Sequence, residues 1–196
     1  WIVGVVLFLA NLLRHWVRVR MMTSNLETLS NEGVLSSFSE NCRQMGVSRQ
    51  PQLRVSYNSW DPCLTGIMRP VIVLPSVVLE PCNSDELNAA LLHELAHIKR
   101  RDLFWNWLPA LAEAVFFFHP LVWFAKREWR LSQEIATDEL ALSVSRVPVA
   151  RYARSLVELA AKCPTVTTCP HLAVTVSEAY SQLSRRMIAM QTFQNL

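Results

Sequence analysis

Asn83-Ser84-Asp85-Glu86-Leu87-Asn88-Ala89-Ala90-Leu91-Leu92-His93-Glu94-Leu95-Ala96-His97-Ile98-Lys99-Arg100-Arg101-Asp102 is the stretch whose reading decides the fold. It opens as a helix opens. Asn83 can cap, and Glu86 three residues later completes a capping box. Leu87, Leu91, Leu92, Leu95 and Ile98 then recur at helical spacing. Inside the helix lies His93-Glu94-Leu95-Ala96-His97, a His-Glu-x-x-His sequence. Residues i and i+4 share one face of a helix, about one turn apart. Two imidazoles placed so can each reach a zinc ion at about 2.0–2.1 Å. Glu94 stands beside the first of them, close to the metal but not on it, where it can take a proton from an activated water. A chain of this composition would contain the pattern by chance only about 0.01 times. The ordinary alternative is two histidines on an unexceptional helix.

A zinc peptidase needs a third protein ligand and an open fourth position. No His-x-x-Gly-x-x-His continuation follows His97, which argues against the metzincin pattern. His119, His171 and several acidic residues are the downstream candidates, and the best is Glu134, in Glu134-Ile135-Ala136-Thr137-Asp138. Glu134 and Asp138 again stand at i and i+4. One carboxylate can bind zinc while the other takes the N–H of a ligating histidine and fixes its tautomer. Alone, the pair reads as a solvated acidic face beside Glu128 and Glu139; with the histidine motif it reads as the rest of a site.

The chain has 196 residues, enough for one domain with a sizeable core. It is 51% hydrophobic and 18% charged, with a mean hydropathy of +0.18, a balance that favours membrane association. The net charge is +3, and no basic tract interleaved with aromatics occurs, so no direct binding of nucleic acid is expected. The cysteines, Cys42, Cys63, Cys82, Cys163 and Cys169, are odd in number and include no Cys-x-x-Cys pair. They read as idle thiols in a reducing compartment.

Trp1 to Leu13 is apolar, and Arg14, Arg18 and Arg20 follow it, with His15 among them. The apolar run is shorter than the roughly 20 residues of a full span. Residues 1–22 therefore read as the end of a transmembrane helix with a basic cytoplasmic flank, and residues 23–196 as a zinc metallopeptidase domain whose motifs lie between 60 and 145. The alternative is a soluble amphipathic N-terminal helix. Leu26, Leu29, Val34, Leu35 and Phe38 have helical spacing; Leu53, Val55 and Tyr57 alternate as in a strand, with turns at Asn58-Ser59 and Asp61-Pro62. Arg69-Pro70-Val71-Ile72-Val73-Leu74-Pro75 is a short apolar strand bounded by prolines. Two or three strands beside this many helices imply an α+β, mainly helical fold, with a small sheet next to the His-Glu-x-x-His helix.

Four separated stretches, in this order and spacing, resemble the BlaR/MecR-type antirepressor metallopeptidases. They are Arg69–Pro75, His93–Asp102, Phe118-His119-Pro120-Leu121-Val122-Trp123 and Glu134–Asp138; Arg151-Tyr152-Ala153 extends the likeness more weakly. The resemblance implies a zincin-like, membrane-embedded gluzincin with Zn2+ held by His93, His97 and Glu134. Glu94 is then the general base and Asp138 the residue behind a ligand. It implies a zinc-dependent endopeptidase within a membrane signalling protein, cleaving a cytoplasmic transcriptional repressor or itself, at the cell membrane with the zinc site on the cytoplasmic side. Thr137 stands where many relatives carry Cys. His119 and Tyr152 are candidates for stabilising an oxyanion, with a structural role the plainer reading of each; Arg130 could orient Glu134, though an ordinary surface arginine is the plainer reading there too. An HtpX-type membrane quality-control protease shares the helix and the downstream Glu and Asp, but its Asn-Ala-Phe strand signature is missing. A non-catalytic membrane signalling domain would be attractive had Glu94 been lost.

Two structural expectations follow. Ile72-Val73-Leu74 should border the cleft with one edge unpaired, ready to align a peptide. Leu103 to Ala125 is apolar and long enough to span, yet His97 precedes it and Glu134 follows it, and both must reach one ion. It should therefore bend at Pro109 or at His119-Pro120 and return, or lie along the membrane face.

Overall fold

Among the described residues the strands end at Pro75, and only helices follow. In the computed structural model, which describes residues 1–57, 62–79, 84–145, 147–162 and 176–194, α1 (Ile2–Ser24) leads to β1 (Glu27–Thr28), α2 (Glu32–Met45), β2 (Gln52–Ser56), β3 (Cys63–Thr65) and β4 (Val71–Pro75). Then come α3 (Ser76–Leu79), α4 (Ser84–Arg100), α5 (Asp102–Trp105), α6 (Trp107–Val115), α7 (Pro120–Ser145), α8 (Val149–Lys162) and α9 (Val176–Gln194). The fold is mainly helical with one small mixed sheet, as the α+β reading requires. Asn83, Asn58-Ser59, Asp61, His171, Cys82, Cys163 and Cys169 lie outside the described residues.

The helical spacing of Leu26 and Leu29 is not used. They flank β1, and Leu29 N–H donates to the Leu53 carbonyl at 3.1 Å. The helix starts later because Asn31 caps it, its side chain accepting from Val34 N–H at 3.2 Å. The sheet has the order β1-β2-β4-β3, with β2 and β4 parallel and the two outer pairs antiparallel. Ile72 of β4 faces Leu53 on one side and Leu64 on the other. This corrects the expectation of an unpaired edge at Ile72-Val73-Leu74. An unbroken apolar run is the signature of a strand buried on both faces, and all three of these residues are fully buried. Its prolines sit at the strand ends, where they leave the ladder between them intact. The outer edge beside β4 belongs to β3, which packs on α4.

α4 lies at the centre, against α2, α7 and α8. Leu91, Leu92, Leu95 and Ala96 are buried and join Phe38, Leu53, Ile72, Leu74, Tyr152 and Met190 in one core. The helix ends at Arg101, which adopts a left-handed conformation (φ 60°) without being glycine. Such a backbone costs an L-residue about 1–2 kcal/mol. It turns the chain sharply, so that Asp102 comes back toward His97.

Leu103–Ala125 is not one helix. It is divided among α5, α6 and the start of α7, with a turn at 116–119, and α6 packs back on α7, where Lys126 pairs with Glu113. The reversal thus falls at His119-Pro120. Pro109 sits in the first turn of α6, where its missing N–H breaks no helical hydrogen bond.

The β3–β4 turn depends on Gly66 at φ 84°, where an added Cβ would come within 2.4 Å of the Arg69 carbonyl oxygen. Gly66→Ala should lower the thermal unfolding midpoint. Gly33→Ala, on an exposed turn of α2 where a Cβ meets only Asn31 Oδ1 at 3.4 Å, should raise stability by about 0.5–1 kcal/mol. Calorimetry of the two variants beside the parent checks both signs.

Candidate metal centre

One turn of α4 separates His93 from His97, and their rings stand edge to face with centroids 4.8 Å apart. α7 crosses against this face and brings Glu134 up to both. His93 Nε2 lies 3.3 Å from Glu134 Oε2, and His97 Nε2 lies 3.6 Å from Glu134 Oε1. One ligand atom from each of His93, His97 and Glu134 falls within 4.8 Å of the others. Four ligands at about 2.0–2.1 Å from a tetrahedral ion are separated by roughly 3.4 Å, so this group fits a metal such as zinc.

The far nitrogens of both rings are held from behind. His93 Nδ1 lies 3.0 Å from Asp138 Oδ1, and His97 Nδ1 lies 2.8 Å from Asp102 Oδ2. A carboxylate at Nδ1 takes the proton there and leaves the Nε2 lone pair for a cation. Burial disfavours a charged His93, but its bonds to Asp138 and Glu134 prevail and push it up to about 10. A field that draws a proton to that point draws a divalent cation as well. Burial also opposes ionisation of Glu134, which the neighbouring His93 and Arg186 overcome, holding the carboxyl well below the usual range. Glu94 is buried, and burial raises its carboxyl above the usual value against the opposing field of His97 and His93. That is the direction a general base needs to hold a proton near neutrality.

Asp138 is fully buried and fully engaged. Arg186, from α9, donates to it through Nε at 2.7 Å and Nη2 at 2.8 Å, and Tyr152 Oη donates at 3.2 Å. The same guanidinium reaches Glu134 Oε2 at 3.2 Å. On the other side, Asp102 Oδ2 accepts from Thr137 Oγ1 at 3.3 Å and from Arg100 Nε at 3.2 Å. Burial opposes ionisation of Asp138 too, yet His93 and Arg186 keep its pKa below the ordinary value.

The sequence expectations meet this geometry as follows. His93, Glu94, His97, Glu134 and Asp138 come together. Tyr152 is bound up with Asp138 behind His93, and His119 is exposed at the hairpin turn, where its Nδ1 accepts from Leu121 N–H at 3.3 Å. Tyr152 thus supports Asp138, and His119 braces its own turn. Asp102 and Arg186 were not foreseen in any role. Asp102 had a local signal, a carboxylate five residues after His97 at a helix end. Arg186, 48 residues beyond Asp138, had none.

Arg186→Ala leaves the buried Asp138 carboxylate without its strongest partner. Metal affinity, read by competition with a chromogenic chelator, should fall about 10–100-fold, the usual cost of losing such a partner. Arg186→Lys keeps the charge without the fork and should fall between that variant and the parent.

Comparison with known proteins identifies the family. The family model described as BlaR1 peptidase M56 matches residues 1–190. The chain is 28% identical over 202 residues to the regulatory protein BlaR1 of Bacillus licheniformis, an alignment covering 99% of this chain and 32% of that protein. It is 27% identical over 162 residues to the methicillin resistance mecR1 protein of Staphylococcus aureus, covering 81% of this chain and 27% of the relative. The mecR1 protein of Staphylococcus epidermidis matches equally. The chain thus spans about a third or less of these relatives' length. A match along almost its whole length shows that the chain belongs to the BlaR1 peptidase M56 family.

Proposed function

We propose that the chain is the zinc-dependent endopeptidase part of a membrane signalling protein, with a zincin-like catalytic fold. The observation that carries this is the convergence of His93 Nε2, His97 Nε2 and the Glu134 carboxylate, with both Nδ1 atoms held by Asp138 and Asp102. His93, His97 and Glu134 hold Zn2+, which when bound polarises a peptide carbonyl and acidifies water. Glu94 accepts the proton of the attacking water on its carboxylate and passes it to the departing amine. Asp138 and Asp102 keep the two imidazoles in the required tautomer and orientation. Residues 23–196 form the catalytic part, and residues 1–22 bring it to the membrane. There α1 is, among the described residues, the helix long and apolar enough to cross. The basic turn at Arg14, Arg18 and Arg20 favours a cytoplasmic site. Family membership supports a protein substrate in signalling, a transcriptional repressor or the protein itself.

With β4 inside the sheet, the strand able to align a peptide is β3, whose outer edge is free of other strands among the described residues and which packs on α4. A substrate peptide bearing a photoreactive side chain next to its scissile bond should cross-link to residues 63–65 and not to 71–75.

The central test compares zinc content and proteolysis. Glu94→Gln should retain one zinc per chain and lose hydrolysis, because the amide cannot accept the proton. His97→Ala should lose the zinc. Wild-type cleavage by Glu94→Gln would remove Glu94 from its role, and full zinc in His97→Ala would overturn the ligand set.

A further inference from the structure

The hairpin made by α6, the 116–119 turn and the first turns of α7 carries a large apolar surface that no described residue covers. Leu108, Leu111, Phe118, Leu121 and Phe124 are each about half exposed or more. A continuous patch of this kind on a protein surface marks an interaction site. Three observations say what covers it.

The first is continuity with α1. Trp1 Nε1 donates to the Val115 carbonyl at 3.0 Å, and Gly4 sits so close to the Phe117 ring that a Cβ there would come within 2.7 Å of it. The hairpin tip therefore stands at the apolar end of α1, away from Arg14, Arg18 and Arg20. The second is the handling of polar groups. In hydrocarbon a polar group is far cheaper to bury when satisfied internally, and several at the tip are so satisfied. At the tip, Phe116 N–H donates to Ala112 O, His119 N–H to Phe116 O, Val122 N–H to His119 O and Leu121 N–H to His119 Nδ1. Trp1 serves the Val115 carbonyl, and Pro120 has no N–H to satisfy. Glu113, the only charged residue between 103 and 125, is paired with Lys126 across the hairpin, and both are largely buried. The third is the basic collar: Arg100 and Arg101 precede the apolar segment, and Lys126 and Arg127 close it.

We propose that this hairpin is a re-entrant element that dips into one leaflet of a lipid bilayer beside α1 and returns without crossing. The nine residues of α6 measure about 14 Å, which is half of a roughly 30 Å hydrocarbon core and deeper than an interfacial helix lies. Glu134 follows Lys126 by eight residues, about 12 Å along α7, so the catalytic cleft stands just outside the headgroups and meets substrates close to the membrane.

The proposal rests on the membrane reading of α1 but not on the metal. The test uses the full chain, its native cysteines replaced by alanine, in phosphatidylcholine–phosphatidylglycerol vesicles. An environment-sensitive fluorophore is placed on a single cysteine at Leu7, Phe118 or Ser143, all exposed positions. At 118 the emission should be quenched by lipids carrying a nitroxide deep in the acyl chain, more strongly than by lipids carrying it near the headgroup, and should be untouched by aqueous iodide. At 143 iodide alone should quench. Iodide quenching at 118 equal to that at 143 would overturn the proposal. So would shielding at 118 from both iodide and lipid, which would mean a protein cover. If position 7 responds to lipid and 118 does not, the hairpin alone is refuted; if neither responds, the membrane reading falls with it.

Discussion

Two imidazoles must offer their Nε2 atoms to one point while their Nδ1 atoms are gripped from behind, and the rest of the structure answers to that requirement. A histidine ring left to itself has two tautomers and a free rotation about its side-chain bonds. Asp138 and Asp102 remove both freedoms for His93 and His97. Each carboxylate must then be buried, and a buried carboxylate is expensive unless it is paired and hydrogen-bonded. Arg186 and Tyr152 supply this for Asp138; Arg100 and Thr137 supply it for Asp102. The demand runs outward through three further helices. α7 must cross α4 at the level of His93, α8 must bring Tyr152 underneath, and α9 must lie close enough for Arg186 to reach in.

The same requirement governs the path of the chain between the ligands. His97 lies in the last turn of α4, and Glu134 lies midway along α7, with a long apolar segment between them. Arg101 starts the detour by taking a left-handed backbone, and the turn at 116–119 reverses it. The strain at Arg101 has a clear return, since the residue after it is the carboxylate on His97. A continuous helix would carry Asp102 away, five residues and so about 7 Å further along the axis. A helix end is thus used as part of the site.

What could be read from the sequence follows the range of each interaction. His93, His97, Glu134 and Asp138 announced themselves because their partners stand at i and i+4 on single helices, and helical period is a local property. The strand at Val71–Pro75 was legible for the same reason, but its place in the sheet was not. Whether a strand is central or at an edge depends on partners elsewhere in the chain, here Leu53 and Leu64 on its two sides. Leu26 and Leu29 misled because their spacing suits a helix while Asn31 starts that helix only after them. Arg186 was invisible in a stronger sense. A surface arginine and one inserted into a buried carboxylate look the same in one dimension, and nothing within α9 separates Arg186, bound to Asp138, from Arg185, which pairs with the more open Glu128.

Charge balance carries the last step. At the site four carboxylates, Glu94, Asp102, Glu134 and Asp138, are gathered within a largely buried volume, and Arg100 and Arg186 pair with three of them. With both imidazoles neutral, the carboxylates outnumber Arg100 and Arg186. Protein interiors do not tolerate such an imbalance; pKa values move until it is relieved. The directions agree: His93 is driven toward its cationic form and Glu94 toward its neutral one, each reducing the deficit. A divalent cation among His93, His97 and Glu134 would offset it in a single step. It would let the imidazoles stay neutral and would give Glu94 a nearby positive charge that favours its ionised form. The acidic excess is therefore no flaw in the packing, because it is the balance that the proposed dication and the proposed base beside it would require.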